Sequence, residues 1–194
     1  MRELQLNGGN KMNVYMGSDN HFYHKNIIRF QPDSRTFDSV EDMNEAIIER
    51  HNEVVGKNDH YYHLGDFAFA NNRKIDELLS RMNGRKHFIL GNHDKQFRKI
   101  DVKKHRDIEW IRQYSELNLK QYGIDLPPLV MFHYPIDSFN RKSHGAYHVH
   151  GHEHCNGRIV SGRMDIGIDG NNLYPWSLED VIENIESVRR DNES

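Results

Sequence analysis

The sequence predicts a layered α/β sandwich, and three observations predict it. Short runs rich in β-branched and aromatic residues recur along the chain, each ending abruptly in a polar cluster. Segments with helical spacing of apolar residues alternate with these runs in the first half. From about residue 108 to 168 strand-like runs dominate, a change of rhythm that suits stacked layers.

Taken in order, the run Met12-Asn13-Val14-Tyr15-Met16 gives way to Gly17-Ser18-Asp19-Asn20-His21. Asn26 follows, either as the cap of a short helix containing Ile27 and Ile28 or as a substrate contact. Residues 39–55 read as a helix, with Val40, Met43, Ile47, Ile48 and Val54 at helical spacing and Ser39 and Asp42 placed to cap it. "HYYHL", residues 60–64, runs into Gly65-Asp66. A second helix is expected over 74–84, closed by Gly84. "KHFIL", residues 86–90, runs into Gly91-Asn92-His93-Asp94, and "PLVMF", residues 128–132, into His133-Tyr134-Pro135. "AYHVH", residues 146–150, runs into Gly151-His152-Glu153-His154. The last helix is expected over 177–190, with Ser177 as its cap, an acidic first turn and two closing arginines.

The length of 194 residues suits one domain, expected over 12–190. Asn7-Gly8-Gly9-Asn10 marks residues 1–11 as a flexible lead. No apolar run approaches the roughly 18 residues that a membrane span needs, and the first residues hold no long apolar stretch of a secretory signal. Cys155 is the only cysteine, so no internal disulfide can form, and a cytoplasmic setting is expected. A formal charge of −3 argues against a protein held to nucleic acid by bulk positive charge. The 14 histidines are scattered through the interior of the chain rather than gathered at an end.

In open α/β sheets, ligands bind where strands give way to loops. Pooling the strand ends collects Asp19, His21, Asp66, Asn92, His93, His133, His152 and His154. Singly, Asp19 and Asp66 would read as turn or cap residues. Together, oxygen and imidazole donors without sulfur suit a hard or borderline divalent ion. There are more donors than one ion needs, which points to two ions sharing a carboxylate bridge.

The order Asp19-Asn20-His21, Gly65-Asp66, Gly91-Asn92-His93-Asp94, His133 before Tyr134-Pro135, then Gly151-His152-Glu153-His154 resembles the calcineurin-like metallophosphoesterase superfamily. "DNHFYHKNIIRF" and "LGDFAF" are similar to its small single-domain bacterial and phage members. The resemblance runs from about residue 13 to 170 and implies a four-layer α/β/β/α sandwich with a dinuclear metal site at the strand ends. It implies a first metal on Asp19, His21, Asp66 and His154 and a second on Asp66, Asn92, His133 and His152. His93 would touch the substrate phosphate rather than a metal, with Asp94 a candidate to orient it. Mn²⁺ is the expected ion, although Fe, Zn or Ni suits the same donors. The expected activity is hydrolysis of a phosphodiester, nucleotide-like or cyclic, with His24 and Arg141 as candidate substrate contacts. A phosphomonoesterase, a nuclease and a non-catalytic binding module are the alternatives.

Overall fold

A computed structural model describes residues 13–193; the lead expected to be flexible, 1–11, lies outside the described residues. The chain begins with β1 (Val14–Gly17), α1 (Ile27–Phe30), α2 (Val40–Val54), β2 (His60–His63), α3 (Asn72–Arg81), β3 (Arg85–Ile89) and β4 (Ile108–Arg112). It continues with β5 (Tyr114–Leu117), β6 (Leu129–Phe132), β7 (Tyr147–His150), β8 (Arg163–Asp165), β9 (Trp176–Ser177) and α4 (Leu178–Glu193). Two sheets result. The first has the order β4-β3-β2-β1-β9 and is parallel except for β9. The second has the order β5-β6-β7-β8 and is parallel except for β5.

The strands are short, and β1, β2, β3, β6 and β7 are largely buried on both faces, as central parallel strands covered from both sides must be, while β4, β5, β8 and β9 are partly exposed. Their two-residue period sorts side chains between two cores. Tyr61 and Phe88 join Met43, Ile47, Ile75 and Leu78 of α2 and α3 on one face of the first sheet. Val14, Met16, Tyr62, Leu64 and Ile89 point the other way, toward Leu117, Leu129, Met131, Tyr147 and Val149 of the second sheet. Leu178, Val181 and Ile185 of α4 enter the same inter-sheet core, and α4 touches β1 and β9 of the first sheet and β8 of the second.

Local signals account for most helix limits. Ser39 Oγ accepts from the Asp42 amide at the start of α2, and Ser177 Oγ accepts from the Asp180 amide at the start of α4. The α3 limits differ from the expected 74–84. Asn71 accepts from the Lys74 amide and starts the helix two residues early, and the chain leaves it at Met82 in extended conformation. Gly84 is the turn into β3, with φ +96° and a Cβ-sized space already occupied by Val55. Asn26 precedes α1 without a side-chain cap. Among the described residues no helix is long and apolar enough to cross a membrane.

Candidate metal centre

Because β1, β2 and β3 run parallel, their C-terminal ends share one edge, and those of β6 and β7 share the neighbouring edge of the second sheet. The loops that leave these edges are tied to one another. The amides of Asp19 and His21 donate to the carbonyls of Gly65 and Asp66. The His152 amide donates to Asp19 Oδ2 at 2.9 Å, and the Gly151 amide to the His133 carbonyl. Thus the first sheet's loops are bound to each other and to the second sheet's loops at one spot.

The predicted donors meet there in two groups, Asp19 with His21 and His154, and Asp66 with His133 and His152, each group holding its donor atoms within 4.8 Å of one another. Asp66 lies between them: its Oδ2 is 3.7 Å from His21 Nε2 and 3.6 Å from His133 Nε2. Several of these atoms face each other with nothing to satisfy them. Asp19 Oδ1 and both ring nitrogens of His21 are buried without a hydrogen-bond partner. His133 Nδ1 lies 2.8 Å from the Leu64 carbonyl, which can only accept, so Nδ1 carries the proton. In the neutral ring Nε2 is then a lone pair, 3.0 Å from Asn92 Oδ1. Lone pairs converging on lone pairs, in a buried place, are costly without a cation between them. The donor set therefore fits a metal ion.

The backbone carries the same signature. Asp19, His21, Asp66, His152 and His154 all have positive φ, between 51° and 75°. Such conformations cost L-residues about 1–2 kcal/mol each and persist where the surroundings impose them. Gly91 and Gly151 let the loops close: a Cβ on Gly91 would strike Asp66 Oδ1, and one on Gly151 would strike Ser18 Oγ and Asp19 Oδ2. Burial pushes the Asp19 carboxyl up to about 6 and the His21 imidazole well down, the direction that keeps a histidine neutral and able to donate its lone pair.

Two residues that sequence reasoning missed organise the first group. Arg35, fully buried, donates to the carbonyls of Asp19 and Asn20 and to both oxygens of Asp169. Asp169 in turn receives His154 Nδ1 at 2.8 Å, which leaves His154 Nε2 free to face the cluster. Burial, the largest single influence, would lower the His154 pKa, but the hydrogen bond to Asp169 and the charges of Asp19 and Asp169 together raise it; Arg35 and His154 hold Asp169 well below the ordinary carboxylate range despite its own burial. His63 plays a smaller part, its Nε2 lying 2.8 Å from Asn20 Oδ1.

His93 stands at the mouth, exposed, its amide donating to Asp66 Oδ1 and its Nε2 3.9 Å from Asp66 Oδ2. Asp94 does not orient it. The Asp94 carboxylate instead accepts from the amides of Asp66, Phe67 and Gly91, which locks the β2 and β3 loops together. His24 joins the cluster, its ring centroid 5.3 Å from that of His21 and 6.4 Å from that of His93. Arg141 is not brought to it: this residue lines a separate groove with Glu116, Asn118 and His144. A third group, His150 with Glu153 and Asp165, lies apart from the predicted donors. Asp165 is engaged there by the amides of Cys155 and Gly167, fixing the turn after His154.

With the geometry in hand, the chain can be set beside known proteins. An uncharacterized protein of Methanocaldococcus jannaschii, MJ1445, is 30% identical over 182 residues, covering 89% of this chain and 91% of the relative. The chain belongs to the family of MJ1445. The Gene 66 protein of Mycobacterium phage L5 is 34% identical over 85 residues, 42% of this chain and 40% of the phage protein. The crystal structure of AQ665 from Aquifex aeolicus, a protein of unknown function, shares the fold at TM-score 0.67 with 25% identity, covering 90% of this chain and all of that one. A predicted phosphoesterase of Streptococcus pneumoniae TIGR4 overlays only loosely, at TM-score 0.41 with 16% identity, covering 82% of this chain and 74% of that one. No family model matches the chain.

Proposed function

We propose that this chain is a phosphoester hydrolase of the calcineurin-like kind, built around two divalent cations and acting on a phosphodiester of nucleotide type. The observation that carries the reading is the convergence of side chains from Asp19, His21, Asp66, His133, His152 and His154 where the two sheets meet, with Asp19 Oδ1 and both His21 ring nitrogens buried and unpartnered, beside an exposed His93. The two parallel-rich sheets packed face to face, with α2 and α3 on the outer face of the first, are consistent with the α/β architecture that this reading implies.

On this reading Asp19, His21, Asp66 and His154 hold one cation and Asp66, Asn92, His133 and His152 the other, with Mn²⁺ the expected ion. Cations held there supply a lowered water pKa and positive charge opposite phosphoryl oxygens. The chain's own residues do the rest. Asp66, between the two groups, sets their spacing, and its Oδ1 fixes the loop that carries His93 through that residue's amide. The His93 ring, reaching into solvent beside Asp66, is free to donate a hydrogen bond to a phosphate oxygen and to hand a proton to a departing alkoxide. Asp169 and Arg35 keep His154 in the one tautomer that can face the centre.

The test is hydrolysis of bis(4-nitrophenyl) phosphate and of 4-nitrophenyl phosphate by protein loaded with Mn²⁺, with metal content measured alongside. Two equivalents of metal and turnover of the diester, reduced at least about 100-fold in Asp66→Asn, are expected. Preference for the monoester would make the protein a phosphatase, and absence of bound metal would end the reading.

A further inference from the structure

Five large apolar side chains are exposed among the described residues: Phe30 at 56%, Phe69 at 37%, Tyr114 at 41%, Tyr134 at 36% and Ile159 at 79%. Scattered exposed apolar groups need no explanation, but grouped ones do. Three of these five border the candidate metal centre. Phe69 stacks on His24 with ring centroids 4.0 Å apart and planes at 14°, and lies 4.7 Å from the ring of His93 and 5.6 Å from that of His21. Phe30 stands edge-on to His24 at 6.1 Å, with the Arg29 guanidinium 5.6 Å over its ring. Tyr134 occupies the other flank, packed edge-on against His133 and His152.

The backbone holds Phe69 in this exposed place. Its amide donates to the Phe22 carbonyl at 2.8 Å and the Phe22 amide donates to the Phe67 carbonyl at 3.0 Å, the two bonds making a strand-like bridge between Phe22 and Ala68. Phe67 and Ala68, its immediate neighbours, are buried in the helix-side core. The loop thus has an apolar anchor inside and places a further aromatic outside, beside His93, which with His152 is open to solvent. A phenyl ring held at a fixed angle by a stacked imidazole, with part of its surface open, is a surface on which a second planar ring can lie.

We propose that Phe69, backed by His24 and flanked by Phe30, is a stacking platform for a planar aromatic group carried by a phosphate-bearing ligand. The proposal rests on the phosphoesterase reading for the anchor of the phosphate and adds the class of group attached to it. The two sources of such a group are a nucleobase and a simple aryl ring. Tyr134 is placed to confine the ligand from the other flank. A ligand without a ring leaves the platform in water and gains nothing from it.

The experiment is calorimetric titration of the Mn²⁺-loaded protein with adenosine 5′-monophosphate, phenyl phosphate and ribose 5-phosphate. The nucleotide is expected to bind at least about five-fold more tightly than the sugar phosphate, as base–aromatic stacking gives elsewhere. Phe69→Ala should erase that difference while leaving the affinity for ribose 5-phosphate within two-fold, and Phe69→Trp should keep it. Phenyl phosphate sharing the gain assigns the platform to any aromatic ring, whereas phenyl phosphate behaving like the sugar phosphate assigns it to a nucleobase. Equal affinities for all three, failure of all three to bind, or a preference that survives Phe69→Ala overturns the proposal. Turnover of a diester without aromatic preference would sink the platform alone. Aromatic preference without turnover of any ester would sink the hydrolase and leave the platform.

Discussion

At the scale of single residues, the convergence of Asp19, His21, Asp66, His133, His152 and His154 was legible because each motif pairs a strand ending with a short polar cluster, and a parallel sheet sends such endings to one edge. Arg35 and Asp169 were not legible. Arg35 sits in Pro32-Asp33-Ser34-Arg35-Thr36, which reads as a solvated turn, and its partner Asp169 lies 134 residues further along. A buried ion pair leaves no trace in local sequence, since each half alone looks like a surface charge. Asp94 was visible but misassigned: its neighbour His93 drew attention, whereas its carboxylate serves three backbone amides. Removing one member of the buried network should be costly in different ways. Asp169→Asn keeps the shape but weakens the partner that fixes His154 and leaves the Arg35 charge less compensated. A fall in affinity for metal of about 10–100-fold is expected, read by competition with a chelator of known strength. Arg35→Met strands the Asp169 carboxylate and two carbonyls in the interior, and chemical denaturation should show a loss of about 3–5 kcal/mol.

At the scale of elements, strands were read from composition and helices from spacing, and the elements survived while both limits of α3 moved. The α3 start moved because the asparagine cap at Asn71 was passed over in favour of the apolar pattern beginning at Ile75. The caps that were read, Ser39 and Ser177, make their bonds. Ser39→Ala should therefore cost about 1 kcal/mol in a denaturation experiment, without affecting metal binding, because α2 packs on the far face of the first sheet. Short loops at the strand ends are less forgiving. Gly151→Ala would drive a methyl into Ser18 and Asp19, so metal affinity is expected to fall more than thermal stability does. Equal proportional losses of both would mean that this glycine serves the fold and not the centre.

At the scale of the whole molecule, the layered α/β class was visible as a change of rhythm near residue 108, while the division into two sheets after β4 and the return of β9 to the first sheet were not, because a two-residue strand has no periodicity to detect. Buried histidines set how the molecule answers to acid. Burial lowers His51 and His148 to about 4 and His87 to about 3. An unfolded chain takes up protons on these rings below about 6.5, while the folded one refuses them until near 4, so folded stability is full above 6.5 and drains away as the pH falls between those limits. His51 alone contributes about 3 kcal/mol across that interval. The Asp19 carboxyl, raised by burial, works in the opposite sense between about 6 and 4, and three histidines outweigh it. Metal-free protein should accordingly unfold at progressively lower denaturant concentration from pH 7 to pH 4.5, and a flat response over that range would contradict the burial of these rings. The return of β9 also has a consequence for how the chain is made. The edge of β1 emerges during synthesis well before its antiparallel neighbour, which pairs Tyr15 with Ser177 and Met16 with Trp176. Until then that edge presents unpaired amides and carbonyls to whatever lies near. A nascent chain arrested before β9 is thus expected to be the form most prone to join another copy edge to edge.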